Sequence, residues 1–168
     1  AYFSKEAFEK SLTFAKKVLS KESISPTLEL DAKSIIARSS FKLNDFETAK
    51  EYYKTIENKA VGELKAEILY HEAFFQNQEK AFGKSNEIVK KLIAEYASYK
   101  YWGVKSYVIM GKNYYGLKDA YQATFILENV IKNFPQFEDV VREAKTELIK
   151  IKDAESKTNN SINPQIKN

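Results

Sequence analysis

The chain has 168 residues, 43% apolar and 30% charged, which is enough for one buried core and too few for two domains of ordinary size. No cysteine and a single histidine exclude a disulfide scaffold, a thiolate metal centre and a cysteine nucleophile, and with them most zinc, iron and copper sites. The net charge is only +4 and just two of the basic residues are arginine, so the bidentate base contacts of nucleic-acid readout are scarce.

Apolar residues recur at intervals of three and four along the chain, and no stretch alternates at two, so the predicted elements are all helices. Phe8, Leu12, Ala15, Val18 and Leu19 mark a first helix over 4–21, and Pro26 separates it from a second over 28–43. The same spacing predicts helices over 46–58, 61–76, 79–95, 99–116 and 119–133, and Pro135 precedes a last one over 137–153. Asp45 and Asp119 stand just before helices and read as N-caps. Connections of a few residues force neighbours to pack antiparallel, so the expected fold class is all-α, about eight helices in antiparallel hairpins. The expected organisation is a single domain over 1–154 followed by a flexible polar tail over 155–168, where two isoleucines offer little to offset the entropy of ordering. The start at Ala1 without a Met reads as loss of an upstream segment, and the missing cysteines leave the compartment open.

The helices also repeat. A small residue in one helix (Ala37, Ala73, Gly111) is followed twelve positions later by a second in the next helix (Ala49, Ser85, Ala123). Larger apolar residues follow at plus four (Tyr53, Val89, Leu127) and plus seven (Ile56, Leu92, Val130). The second anchors lie 36 and 38 residues apart, and Ser11 fits as an earlier member. Small residues let two helices approach closely, and the larger ones fill the space toward the next pair. A lone hairpin cannot bury its apolar face, so such units stack.

These residues resemble the tetratricopeptide repeat family. The closest likeness lies in Tyr107, Met110-Gly111, Tyr114, Asp119, Ala123 and Phe134-Pro135, with Leu127 where the family has an aromatic and Val130 where it has Ala. The unit over 28–58 keeps Ile36-Ala37, Asp45, Ala49 and Tyr53 but has Ser40 for Tyr, and the unit over 61–95 is looser, with Gln76 for Tyr and Ser85 for Ala. The likeness covers 4–153 and implies an α-solenoid: a partial first repeat at 4–21, repeats at about 28–58, 61–95 and 99–133, and a capping helix at 137–153. The run Lys100-Tyr101-Trp102-Gly103-Val104-Lys105, with residues 116–123 and Asn133-Phe134-Pro135, is similar to the C-terminal repeats of large Bacteroidetes repeat proteins. That similarity implies a periplasmic or outer-membrane-associated location ahead of a cytoplasmic one.

The resemblance further implies a concave face that binds an extended peptide or a partner helix. The family's inward-facing positions fall on Arg38, Phe41, Lys42, Tyr70, His71, Phe74, Asn77, Gln78, Lys105, Val108, Lys112 and Tyr115. Its aromatics would supply apolar area and its cations would meet carboxylates. The alternative reading assigns the same aromatics to packing between repeats. The family's C-terminal-carboxylate clamp is not matched, because Arg38 stands where that clamp has an Asn. The cluster of Glu67, His71 and Glu72 reads as solvated rather than as a metal site, and no cofactor is implied. Carboxylates spaced along helices beside lysines read as solvated faces, and Gly111-Lys112 lacks the glycine-rich loop of a phosphate site. The expected function is therefore non-enzymatic protein binding or scaffolding. The competing readings are a structural spacer or oligomerisation segment of a larger repeat protein and, less favoured, a nucleic-acid-binding helical protein. The first helix is expected to expose Phe3, Phe8, Leu12 and Leu19 to upstream repeats or to a second copy.

Overall fold

The computed structural model describes residues 2–162, with side chains over 5–158. Among these residues there are eight helices and no strand: α1 (Tyr2–Leu19), α2 (Pro26–Lys42), α3 (Phe46–Ile56), α4 (Gly62–Gln78), α5 (Phe82–Glu95), α6 (Lys100–Gly116), α7 (Ala120–Asn133) and α8 (Glu138–Ile162). Seven follow the apolar periodicity to within a few residues. The eighth does not end near 153. It runs on through the polar stretch to Ile162, and residues 163–168 lie outside the described part. Extending an existing helix adds one hydrogen bond per residue fixed, with no new nucleus to form, and no proline intervenes before Pro164. The Thr158 hydroxyl donates back to the Ala154 carbonyl within this extension.

Capping chemistry sets the helix ends. Pro26 occupies the first turn of α2, where its missing N–H costs nothing, and the Ser25 hydroxyl accepts the Leu28 N–H at 3.2 Å. The turns α2–α3, α4–α5 and α6–α7 share one geometry that the composition hides. Asn44, Lys80 and Lys118 all adopt left-handed φ, at 63°, 60° and 69°. The next residue in each turn donates its N–H five residues back, Asp45 to Ser40, Ala81 to Gln76 and Asp119 to Tyr114, each at 2.9 Å. This is the helix-ending motif usually built on glycine, here built on Asn and Lys. Its position is the same in each turn, five residues before Ala49, Ser85 and Ala123.

The middle turn lacks one part. Asp45 and Asp119 accept the N–H of Thr48 and Gln122 at 3.2 and 3.0 Å, whereas Ala81 offers no side chain to cap α5. Ala81→Asp is therefore expected to raise stability by about 1 kcal/mol, read as a higher urea midpoint at unchanged slope.

The packing falls into two compact units that divide inside α4, one through Ile68 and one from Leu69 onward, where composition led to a single domain. Within each unit the helices pack mainly on their neighbours in sequence, and α6 also on α8. In the first unit α1 packs on α2 and α2 on α3. Ala15, Ala32 and Ile36 form its core with Leu12, Val18, Leu19 and Tyr52 against them. Leu12 and Leu19 are thus used within the unit and are not exposed as their spacing led one to expect. The exposed apolar residue of α1 is Phe14, at 68%, while Phe3 lies outside the described side chains.

In the second unit the C-terminal part of α4 packs with α5 and α6 around Leu69, Tyr70, Ala73, Val89, Leu92 and Ile109. A further cluster joins α6, α7 and α8 through Val104, Val108, Leu127, Val130, Val140, Ala144 and Ile151. Tyr107 and Tyr114 pack against both. The repeated small residues sit where helices approach most closely. A Cβ on Gly111 would lie 2.9 Å from Leu127 Cγ and 3.4 Å from the Ala123 carbonyl oxygen. Ala37, Ala49, Ala73, Ser85 and Ala123 are all wholly buried.

Candidate functional site

The twelve residues named for a binding face divide between the two units, and each set is described on its own. In the first unit Arg38 projects from α2 and donates through Nε and Nη2 to the two oxygens of Glu67, at 2.7 and 2.6 Å. Glu67 is buried on α4 and also accepts the Tyr53 hydroxyl of α3 at 2.8 Å. The hydrogen bond to Glu67 holds the guanidinium above its ordinary value despite the opposing cost of desolvation. Arg38 is thus committed to its own chain: two parallel bonds to a buried carboxylate make a lock, not a free hand for a ligand. Phe41 is half-buried and rests on Phe46, with ring centroids 5.3 Å apart, and Lys42 is exposed at the end of α2.

In the second unit Tyr70 and His71 are buried and pack tilted against Trp102, at 5.4 and 5.8 Å between centroids. His71 was expected to face the groove and instead belongs to this cluster, because α4 is covered on more than one face. Around them sits an internal cation cage. The Lys105 ammonium lies 5.3 Å from the Tyr70 ring, 5.2 Å from Tyr101 and 5.9 Å from Trp102, and donates to the Tyr101 hydroxyl at 3.1 Å. That hydroxyl in turn donates to Asp139 of α8 at 2.7 Å. Desolvation, then the bond to Asp139, push the Tyr101 phenol up, and burial does the same to Tyr70, so both stay neutral through ordinary pH. Burial works to raise the Asp139 carboxyl as well. The Tyr101 hydrogen bond, the Lys105 charge and backbone N–H groups outweigh it and hold Asp139 below the usual carboxylate value.

The same arrangement recurs along α6. Lys112 lies 2.7 Å from Glu143 and 3.9 Å from Glu147 of α8, and desolvation, then the charge of Glu155 on α8, raise the Tyr115 phenol. Tyr101, Lys105, Lys112 and Tyr115 therefore present a phenolic and cationic line to an acidic line on α8. The carboxylates that Lys105 and Lys112 were expected to meet in a partner are supplied by their own chain, as Asp139 and Glu143. Val108 is core and Gln78 is exposed.

Asn77 belongs to a buried polar network. Its amide donates to Asn113 Oδ1 at 2.7 Å, and Asn113 Nδ2 donates to Ser85 Oγ and Asn86 Oδ1, each at 2.8 Å. Ser85 passes its own proton to the Ala73 carbonyl at 2.7 Å. Asn113 is wholly buried, so α4, α5 and α6 are held in one register by groups that have no water to fall back on. Phe74 is the aromatic of the set that remains half-buried at this face, edge-on to Phe75.

Two residues were missed. Tyr121 and Phe125 of α7 are 75% and 53% exposed and stack with ring planes 14° apart. The repeat register held the signal: counted from the buried anchors, the same two positions are Glu47 and Glu51 on α3 and Gly83 and Glu87 on α5, all exposed. Only α7 places aromatics there.

Among the described residues no three metal-ligating side chains gather, and no helix is long and apolar enough to cross a membrane. Set beside known proteins, the chain matches no protein-family profile, no curated protein and no solved structure.

Proposed function

We propose that this chain is a non-enzymatic protein-interaction module of tetratricopeptide type. The observation that carries the reading is the recurrence of one left-handed turn and one buried small-residue contact at the same register in three hairpins. Identical hairpins are the units of a stack, and stacks of this kind serve as recognition surfaces.

The inward face of the second unit offers a partner segment the half-buried ring of Phe74 rather than free cations. Lys105 is held by the rings of Tyr70, Tyr101 and Trp102 and Lys112 by Glu143 of α8, so charge is not what this face would read. A library of displayed linear peptides tests this. Enrichment by the wild type, lost with Phe74→Ala and kept with Lys42→Glu, supports an aromatic-led inward face. Absence of any enrichment supports the spacer reading, which the internal use of Arg38, Lys105 and Lys112 also favours.

A further inference from the structure

We propose that α1 and α2 together form a seat for a helix of a protein partner, one that pairs with α1 as α4 pairs with α5. This rests on the stacked-hairpin reading of the chain but not on the inward face at Phe74.

The first observation is that α1 holds the register of the second helix of a pair. Counted with the anchors Ala49, Ser85 and Ala123, Ser11 takes the same place on α1. Ala15, Val18 and Leu19 then match Leu127, Val130 and Ile131 of α7. Each set packs on the helix that follows it, α2 in one case and α8 in the other. The side of α1 toward its following helix is therefore complete, and the opposite side is not. Ala49, Ser85 and Ala123 are wholly buried, whereas Ser11 is exposed. Ser11 and Ser85 are the same residue with different partners. The Ser85 hydroxyl donates across its pair to the Ala73 carbonyl of α4, and the Ser11 hydroxyl turns back to Ala7 on its own helix at 2.9 Å.

The second observation is which apolar residues stay in water beside Ser11. Phe14 is 68% exposed, yet its matches Tyr52, Ile88 and Ile126 all pack into clusters to which the first helix of their own pair contributes. On α2, Leu28 and Ile35 are exposed as well. Their matches on α6, Trp102 and Ile109, share one cluster with Leu69 and Tyr70 of α4. Ser11, Phe14, Leu28 and Ile35 are thus four places that a single neighbouring helix covers elsewhere in the chain.

The chain thereby gives the chemistry of the occupant. It is a helix antiparallel to α1, with a small residue opposite Ser11 whose carbonyl the hydroxyl can reach. Large apolar residues stand one turn before that small residue, as Leu69 and Tyr70 precede Ala73. Burial of Phe14, Leu28 and Ile35 supplies the driving force. A lone helix makes a small contact and must be ordered on binding, so the expected Kd is on the order of 100 µM.

A peptide with the sequence of α4, residues 62–78, is the probe, titrated into the full chain and followed by amide chemical shifts. Saturable shifts are expected around Ser11, Phe14 and Ile35. Ser11→Leu, which fills the small-residue contact at an exposed position, and Phe14→Ala should each weaken binding at least about five-fold at unchanged circular dichroism. The peptide bearing Ala73→Leu should not bind. Phe74→Ala in the chain should leave binding intact, so failure of the inward face and failure of this seat are read separately. No shift at about 1 mM peptide overturns the seat, as does binding indifferent to both Ser11→Leu and Phe14→Ala. Self-association of the chain alone, abolished by Phe14→Ala, gives the face to a second copy and overturns the separate partner.

Discussion

Asn113→Ala is expected to lower stability by about 3 kcal/mol, although it removes no apolar group. The side chain is wholly buried and joins three helices, donating to Ser85 and Asn86 on α5 and accepting from Asn77 on α4. Truncation leaves the Asn86 oxygen, itself in a buried residue, without its donor, at a cost of about 1–3 kcal/mol, and a small cavity adds to this. Urea denaturation followed by far-ultraviolet circular dichroism measures the loss. A cycle with Asn86→Ala separates the two contributions: once the acceptor is gone, removing the donor should cost about 1 kcal/mol less. Fully additive losses would mean that the network is not coupled.

Arg38→Ala is expected to cost about 2–3 kcal/mol, far above the few tenths usual for a surface cation. Arg38 is itself half-exposed, which moderates the loss, but its partner Glu67 is only 2% exposed, so deleting the guanidinium strips a buried carboxylate of its principal countercharge. Arg38→Lys is expected to recover less than half, because an ammonium cannot reproduce two parallel bonds to the two oxygens. If Arg38 were a ligand-binding residue held in reserve, alanine would leave the denaturation midpoint in place and change only binding. The stability measurement therefore decides between a lock and a reserve.

These two residues show what kind of information a single sequence holds. Asn113 sits in a helix with buried residues on several faces, among them Val104, Ser106, Val108, Met110 and Gly111, so its surroundings leave no clean amphipathic signature. The partners of Arg38 and Lys112 lie 29 and 31 residues away, on helices whose own periodicity says only that those positions are polar. A cation on a helix reads the same whether it faces water, a ligand or a buried glutamate. The aromatic residues show the converse error: Tyr70 and His71 fall at positions that a resemblance assigns to binding, yet both rings close on Trp102, and Lys105 lies over Tyr70 and Trp102.

By itself the sequence determined the helices, their order and the close contacts between them. Apolar spacing, prolines, N-cap aspartates and paired small residues act over a few residues or at one fixed offset, and local physics suffices to read them. Tertiary structure alone decided which charges are spent within the chain, how far α8 runs, and which exposed aromatics are left over on α7. Those outcomes depend on what each side chain meets across a helix interface, and a burial or an ion pair exists only once two distant segments are brought together.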